Sequence, residues 1–175
     1  MWFHDFCGYF SKMITDELLD LSMIDKLRFK QRFTEFCLSI IHARVKVLQE
    51  AVGDAQDSAN NEDKSSAGDK HETARALSQN ARDLNASVLS EALKDLNTLT
   101  SLKKVASFKS VQMGSLVVTS SFNAMICVNL GKIDFEGVSI MCISSSAPIA
   151  QRILKLTNGD KFIFNNSETL LLDAF

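Results

Sequence analysis

Proline is almost absent from this chain of 175 residues, which contains only Pro148 and seven glycines. Because these two residues interrupt helices, their scarcity permits long helical segments. The formal net charge of −2 provides no basic excess, so direct or sequence-specific DNA binding is disfavoured. No long uninterrupted apolar run occurs, and the start of the chain has no basic region before its apolar patches. We therefore expect neither a membrane span nor a signal peptide.

The four cysteines, at positions 7, 37, 127 and 142, form no C-x-x-C pair. Each lies in an apolar stretch, and no histidine cluster accompanies them. This pattern predicts buried free thiols rather than a metal site, and it is typical of a reducing, cytoplasmic environment.

Two long helical patterns occupy the first half of the chain. From about 25 to 56, apolar residues recur at spacings of three and four. A second pattern runs from about 72 to 102. The sequence predicts that the helices pack antiparallel as a coiled-coil-like hairpin about 45 Å long. The apolar side of the first comprises Phe33, Cys37, Ile40, Ile41, Leu48, Ala51, Val52 and Ala55, and that of the second Leu77, Ala81, Leu84, Val88, Leu89, Leu93, Leu96 and Leu99.

A polar stretch, SANNEDKSSAGDKHETARAL, separates the two patterns. It predicts the tip of the hairpin, at 57–72, with carboxylates at Asp69 and Glu72. The residues alone leave two interpretations open. The carboxylates could ligate a metal presented by a larger partner, or they could be a solvated loop acid and a first-turn glutamate that favours a helix N-terminus. Gly68 suits the backbone of a turn.

The residue types change after the linker 103–110 to short β-branched and aromatic runs. Five strands are predicted, at 115–119, 124–128, 138–143, 161–164 and 169–172. Pro148 lies near the start of one helical segment, which Ser146 could cap and Asn158-Gly159 could end. The second half is therefore predicted to be an antiparallel sheet with one helix. Its phenylalanines at 122, 135, 162 and 164 are predicted core residues.

The C-terminal half resembles the C-terminal domain of the Gre transcript cleavage factors (GreA/GreB). The resemblance rests on VQMGSLV at 111–117 and SSSAPIAQRILKLTNGDKFIF at 144–164, where a glycine-containing strand entry, an A-P-I-A helix start and a G-D turn follow in the family's order. The resemblance implies an FKBP-like fold. It predicts an α+β protein with an extension at 1–22, a helical hairpin at 23–105 and an FKBP-like domain at 111–175.

The tip is similar to the same family. Gre factors carry G-D-x-x-E-x-A there, and this chain has GDKHETA at 68–74. The resemblance implies a bacterial cytoplasmic factor that enters the secondary channel of RNA polymerase, where Asp69 and Glu72 help the polymerase to hold Mg²⁺ and to cleave backtracked RNA. This chain departs from the family at Arg75 and Ala76, where an acidic and an aromatic residue are usual. An altered tip could enter the channel and modulate or inhibit elongation without assisting cleavage.

The tip more closely resembles a Gre-like subgroup of small bacterial proteins, some of which bear a 3-oxoacyl-ACP synthase label. Condensing enzymes of that kind need a reactive cysteine with histidine or asparagine partners in a fold about twice this length. The histidines here, at 4, 42 and 71, all precede the strand-rich half, which disfavours that activity. A further alternative is a non-catalytic interaction module whose tip acids only solubilise it.

Overall fold

The protein is an α+β molecule in the computed structural model, which describes residues 18–62, 69–103 and 108–175, without the side chains of 58–75 and 78. The predicted N-terminal extension and its aromatic residues fall largely on 1–17, outside the described residues. The elements are α1 (Met23–Glu62), α2 (Asp69–Ser101), β1 (Leu116–Thr119), β2 (Asn123–Cys127), β3 (Gly131–Phe135), β4 (Val138–Ser144), α3 (Pro148–Ile153), β5 (Lys161–Phe164) and β6 (Ser167–Ala174).

A serine cap fixes the start of α1. The backbone N–H of Asp25 donates to the Ser22 hydroxyl at 3.3 Å, and that hydroxyl donates to the Asp25 carboxylate at 2.7 Å. The first of these bonds satisfies one of the backbone donors that a helix N-terminus leaves unpaired, and the second joins the two side chains. The helix then continues for 40 residues, longer than the predicted 25–56 at both ends.

Contacts divide the chain into two compact units. One is the continuous segment Leu38–Thr100, and the other combines the chain up to Cys37 with Ser101–Phe175. Helix α1 contributes residues to both. In the continuous unit, Arg82 Nη1 donates to Gln56 Oε1 at 3.2 Å, and the charge of Arg44 acts on Asp95. From Arg44 to Gln56 the residue numbers in α1 increase, while those of their partners in α2 decrease from Asp95 to Arg82. The helices therefore pack antiparallel, as predicted.

The side of α2 that packs inward differs from the prediction near the tip. In the base half, Ala92 and Leu99 are fully buried, together with Leu38, Ile41 and Val45 of α1. Leu77 and Leu84, predicted to face α1, are instead 65% and 66% exposed. The prediction placed one apolar stripe along the whole helix. However, the inward-facing series of Leu89, Ala92, Leu96 and Leu99 continues toward the tip through Asn85 and Arg82, whereas Leu77 and Leu84 belong to a neighbouring series.

The six strands form one sheet in the order β3-β4-β2-β1-β6-β5. Four neighbouring pairs are antiparallel, and β2 pairs with β4 in parallel. The prediction of a purely antiparallel sheet is therefore wrong for this pair. The hairpin β3–β4 explains the difference. Strand β4 runs antiparallel to β3 and lies between β3 and β2, where it pairs with β2 in the same direction.

All five predicted strands are present, but the sixth strand, β3, was not predicted. Its sequence GKIDF buries only Ile133, so it lacks the apolar run that identified its neighbours. In the turn that follows β3, both Glu136 and Gly137 have positive φ. This is the backbone of a two-residue turn that joins antiparallel strands. A second such turn, at Asn165 and Asn166, joins β5 to β6.

Helix α3 is short and is capped differently from the prediction. Its N-cap is Ala147, which has no capping hydroxyl. The Ser146 hydroxyl is 2.9 Å from that of Ser144 instead. Pro148 occupies the first turn as predicted, and the helix ends at Ile153, earlier than Asn158-Gly159.

The sheet has a core on each face. On one face, the Phe135 ring lies 5.2–5.6 Å from three rings of α1, those of Phe29, Phe33 and Phe36. The other face carries a second cluster, which comprises Val111, Val117, Ile126, Ala150, Ile153, Phe162, Leu171 and Ala174. Phe122 and Phe164 pack against it, so the predicted core role of these phenylalanines is confirmed.

Candidate functional site

The hairpin tip lies between the end of α1 at Glu62 and the start of α2 at Asp69. Residues 63–68, which include Gly68, lie outside the described residues. Asp69 is the first residue of α2, and Glu72 follows in the same helical turn. Positions three apart on a helix are neighbours on its surface, so Asp69 and Glu72 occupy neighbouring positions on one side of α2.

The position of Asp69 and Glu72 also has an electrostatic consequence. The first turn of a helix has unpaired N–H groups and a positive end of the macrodipole, which stabilise negative charge. This effect fits the structural interpretation of the two acids. It does not oppose the ligand interpretation, because a helix N-terminus and a cation both favour negative charge.

Elsewhere the described residues contain no group of three histidine, cysteine or acidic side chains placed to hold a metal ion. The side chains of Asp69 and Glu72 are outside that set, so their predicted metal role stays a prediction. Two carboxylates are also fewer than the six or more oxygen ligands of a hard cation. Any Mg²⁺ at this tip would therefore take most of its ligands from a partner or from water.

Sequence reasoning missed an open groove of about 610 Å³ beside the start of α1. Its apolar wall comprises Leu18, Leu21, Phe29 and Val138, and its rim is charged. At the rim, Arg32 donates to both carboxylate oxygens of Glu136, at 2.8 and 2.7 Å. The Arg32 guanidinium lowers the pKa of the Glu136 carboxyl. The two residues are 104 positions apart, so no local pattern could have revealed the pair.

A buried ion pair joins α1 to β6. Lys26 Nζ lies 2.8 Å from Asp173 Oδ2, and the side chains are 11% and 12% exposed. The other carboxylate oxygen accepts from Asn158 Nδ2 and from the Ala174 N–H, both at 2.9 Å. With both oxygens hydrogen-bonded, the carboxylate is fully compensated, which suits a structural rather than a catalytic role.

A second lysine of α1, four residues after Lys26, is also buried. Lys30 is 2% exposed, and its Nζ lies 4.4 Å from the centre of the Phe108 ring. Burial lowers its pKa to about 8, since removing water disfavours the charged form. The ring favours that form in part through a cation–π contact.

Three cysteines are buried free thiols, as predicted. The Sγ atoms of Cys37 and Cys142 lie 3.8 Å apart. Hydrogen bonds to Cys127 and Cys37, together with burial, raise the pKa of the Cys142 thiol. A thiol that stays protonated and hidden from water is a poor nucleophile. Cys7 lies outside the described residues.

Comparison with known proteins found no matching family model, no matching curated protein and no matching solved structure. None of the helices that the structure describes has the length and apolar character needed to cross a membrane.

Proposed function

We propose that this protein is a Gre-like factor, bacterial and cytoplasmic, that binds RNA polymerase through its secondary channel and modulates elongation. The observation that carries the proposal is the position of the GDKHETA sequence (68–74), whose residues from Asp69 onward begin the second of two long antiparallel helices. A helix of 33 residues extends about 50 Å. Such a hairpin suits a protein that reaches a deep site with its tip.

The packing of the hairpin supports a coiled-coil interpretation. The inward-facing α2 residues Leu89, Ala92, Leu96 and Leu99 recur at spacings of three and four, which is the coiled-coil repeat. Val45 and Leu48 of α1 have the same spacing. A rigid, regular hairpin would hold its tip at a fixed distance from its base.

The second half of the chain supports the FKBP-like part of the proposal. The short helix α3 packs against the six-stranded sheet, and the apolar cluster between them includes Ile126 and Ile153. The resemblance in sequence spans β1 and the α3–β5 region, where Gly114 and Gly159 both have positive φ. Glycine adopts such φ values without the strain that a side chain adds.

The chemistry proposed for the tip is assistance to a reaction centre that the partner supplies. Mg²⁺, when bound, would polarise a phosphoryl oxygen and lower the pKa of a bound water. The contribution of this chain would be the carboxylates of Asp69 and Glu72, as hard oxygen ligands and as hydrogen-bond acceptors that orient the water. Since the cation and the RNA belong to the partner, we expect no cleavage by this protein alone.

Acyl condensation is not supported by the three cysteines that the structure describes. Cys37, Cys127 and Cys142 are buried, and the raised pKa of the Cys142 thiol opposes formation of a thiolate. A condensing enzyme needs an accessible, activated thiol.

The test is cleavage of nascent RNA in a backtracked elongation complex, assembled with RNA polymerase from the organism that encodes this chain. Wild-type protein, the Asp69→Ala/Glu72→Ala variant and a matched Asp54→Ala/Asp57→Ala control would be compared in Mg²⁺. The control removes two acids three residues apart on the other helix of the hairpin. Binding to the complex would be measured in parallel.

We expect the wild type and the control to stimulate cleavage by 100-fold or more, on the order of the effect of a transition-state charge stabiliser, and the tip variant to bind without stimulating it. Binding by all three proteins without cleavage would indicate a channel-entering regulator. Absence of binding by the wild type would contradict the proposal and leave a hairpin interaction protein.

A further inference from the structure

An apolar series lies exposed along the half of α2 nearer the tip. Leu77 and Leu84 are 65% and 66% exposed, Ala81 is exposed, and Val88 is half-buried. Their spacings are four, three and four, so they form one continuous stripe along the helix. This is the repeat with which one helix packs against another.

Helix α1 of the same hairpin does not cover this stripe. The side of α2 that faces it here includes Arg82, whose guanidinium donates to Gln56 of α1, and the half-buried Asn85. On α2, polar residues therefore lie toward α1 in this part of the hairpin, while four apolar residues of the same helical turns face elsewhere.

The residues of the stripe are complementary to the same residues of a second copy that runs in the opposite direction. In an antiparallel arrangement, Leu77 would face Val88 of the second copy, and Ala81 would face Leu84. The two residue numbers of each pair add up to 165. A single two-fold axis therefore produces both pairs, each of them twice in the dimer. Each large side chain then faces a smaller one, which lets two helices approach closely.

The flanks of the stripe are uncharged. Asn80 and Ser87 border it on one side and Ser78 and Asn85 on the other. Identical copies present identical charges to each other, and like charges beside a helix interface are destabilising. Neutral flanks remove that repulsion, so the charge pattern favours a second copy over a strongly charged partner.

We propose that this face of α2, defined by Leu77, Ala81, Leu84 and Val88, is a self-association surface on which two copies pack antiparallel about a two-fold axis. The stripe spans about 17 Å of helix, so it buries less than the roughly 800 Å² per partner of a standard stable interface. The dimer is therefore weak, with a dissociation constant on the order of 10–100 µM. The proposal is independent of any role in transcription.

The test is sedimentation velocity of the full chain from about 1 to 500 µM, under reducing conditions. Leu84→Gln is compared with Val47→Gln, which alters an equally exposed apolar residue (63%) on the other helix of the hairpin. Circular dichroism checks that helix content is unchanged. We expect reversible dimerisation of the wild type and of the Val47 variant, and dimerisation weakened about tenfold or more by Leu84→Gln, since both copies lose an apolar contact.

A charge exchange tests the antiparallel arrangement. A two-fold axis brings Asn80 beside Ser87 of the second copy, whereas within one chain these residues lie two helical turns apart. Asn80→Glu/Ser87→Lys should strengthen association, and Asn80→Glu/Ser87→Glu should weaken it, each in a manner that salt suppresses.

A wild type that remains monomeric over the whole range overturns the proposal. So does equal weakening by Leu84→Gln and Val47→Gln, or equal behaviour of the two charge variants. None of these outcomes bears on RNA cleavage, so the self-association and the proposed function are tested separately.

Discussion

The buried carboxylate of Asp173 is the single side chain whose loss we expect to be most damaging. Asp173→Ala leaves Lys26 buried without its partner and also removes the acceptor for Asn158 and for the Ala174 N–H. An uncompensated buried charge typically costs about 3–5 kcal/mol. The free energy of unfolding, measured by urea titration at pH 7, should fall by that amount.

The matched control for this prediction is Glu136→Gln. Arg32 and Glu136 are also a short ion pair, but both side chains are largely exposed to solvent. Water screens such pairs, so the control should change the urea midpoint only slightly. Equal losses in the two variants would show that burial is not what makes the Lys26–Asp173 pair important.

The buried amine of Lys30 should make the stability of the fold depend on pH. Its pKa falls from 10.5 to about 8 on folding, so the unfolded chain binds a proton more tightly. Stability due to this group therefore rises as pH increases from about 8 to 10.5, and below pH 8 its burial destabilises the fold. Lys30→Met should increase the free energy of unfolding by about 1–3 kcal/mol at pH 7, and the gain should shrink by pH 10.

Urea titrations of wild type and Lys30→Met at pH 7, 8.5 and 10 would measure this difference. Lys155→Met, at an exposed position in the same unit, serves as the control for loss of one positive charge. A gain from Lys30→Met that is constant with pH would contradict the assigned cause, because it would reflect packing rather than titration.

At the scale of single elements, two glycines should respond in opposite directions to substitution by alanine. Gly137 has φ +81° in the turn between β3 and β4, where a side chain strains the backbone. Gly53 lies within α1, where an added methyl group would meet no other atom within 4 Å. We expect Gly137→Ala to lower stability by about 1–2 kcal/mol and Gly53→Ala to raise it by about 0.5–1 kcal/mol.

Thermal melts monitored by circular dichroism would measure both changes. A loss of stability in Gly53→Ala would show that this part of α1 makes a contact that the open surroundings of Gly53 do not suggest. An unchanged melt in Gly137→Ala would mean that the turn relaxes to another type.

The sequence predicted elements well where a residue's own neighbours determine its structure. The two long helices and five of the six strands follow from periodicity and from glycine or asparagine turns. Strand β3 escaped detection because a polar edge strand buries one side chain, Ile133, and gains its structure from pairing with β4. The parallel pairing of β2 with β4 and the pairing of Arg32 with Glu136 depend on the three-dimensional path of the chain, which local patterns do not contain.

For the candidate site, the sequence predicted Asp69 and Glu72 at the tip of the hairpin, and in the structure both residues lie in the first turn of α2. The side of α2 that faces α1 was predicted incorrectly in the half nearer the tip, where Leu77 and Leu84 are exposed. Helical periodicity identifies apolar stripes, but it does not say which of two neighbouring stripes meets the partner helix. In the structure, the side of α2 that meets α1 includes Arg82, which donates a hydrogen bond to Gln56.

At the scale of the whole molecule, the outer half of the hairpin should be dispensable for folding. Among the side chains that the structure describes, the fully buried ones of the hairpin unit lie at its base, at 38, 41, 45, 92 and 99. Replacing residues 52–87 by a short glycine- and serine-containing loop should therefore change the stability of the unit that contains the sheet by less than about 1 kcal/mol.

Amide NMR spectra and urea titration of this shortened protein would test the prediction. The same protein should lose any effect on RNA polymerase and should no longer self-associate, because the deleted segment contains Asp69 and Glu72 and three of the four residues that define the self-association surface. Unfolding of the sheet on deletion would show that the outer hairpin supports the rest of the chain.

The order of strands in the sheet has a consequence for synthesis on the ribosome. Strand β1 lies between β2 and β6, and β6 is the last element of the chain. The unit containing the sheet also needs α1 residues from before the hairpin. Since chains emerge N-terminus first, the contiguous helices can pair during translation, whereas β1 must wait with one edge unpaired until β6 leaves the exit tunnel. We expect translational pausing before residue 167 to prolong exposure of that edge and to make nascent chains dependent on chaperones.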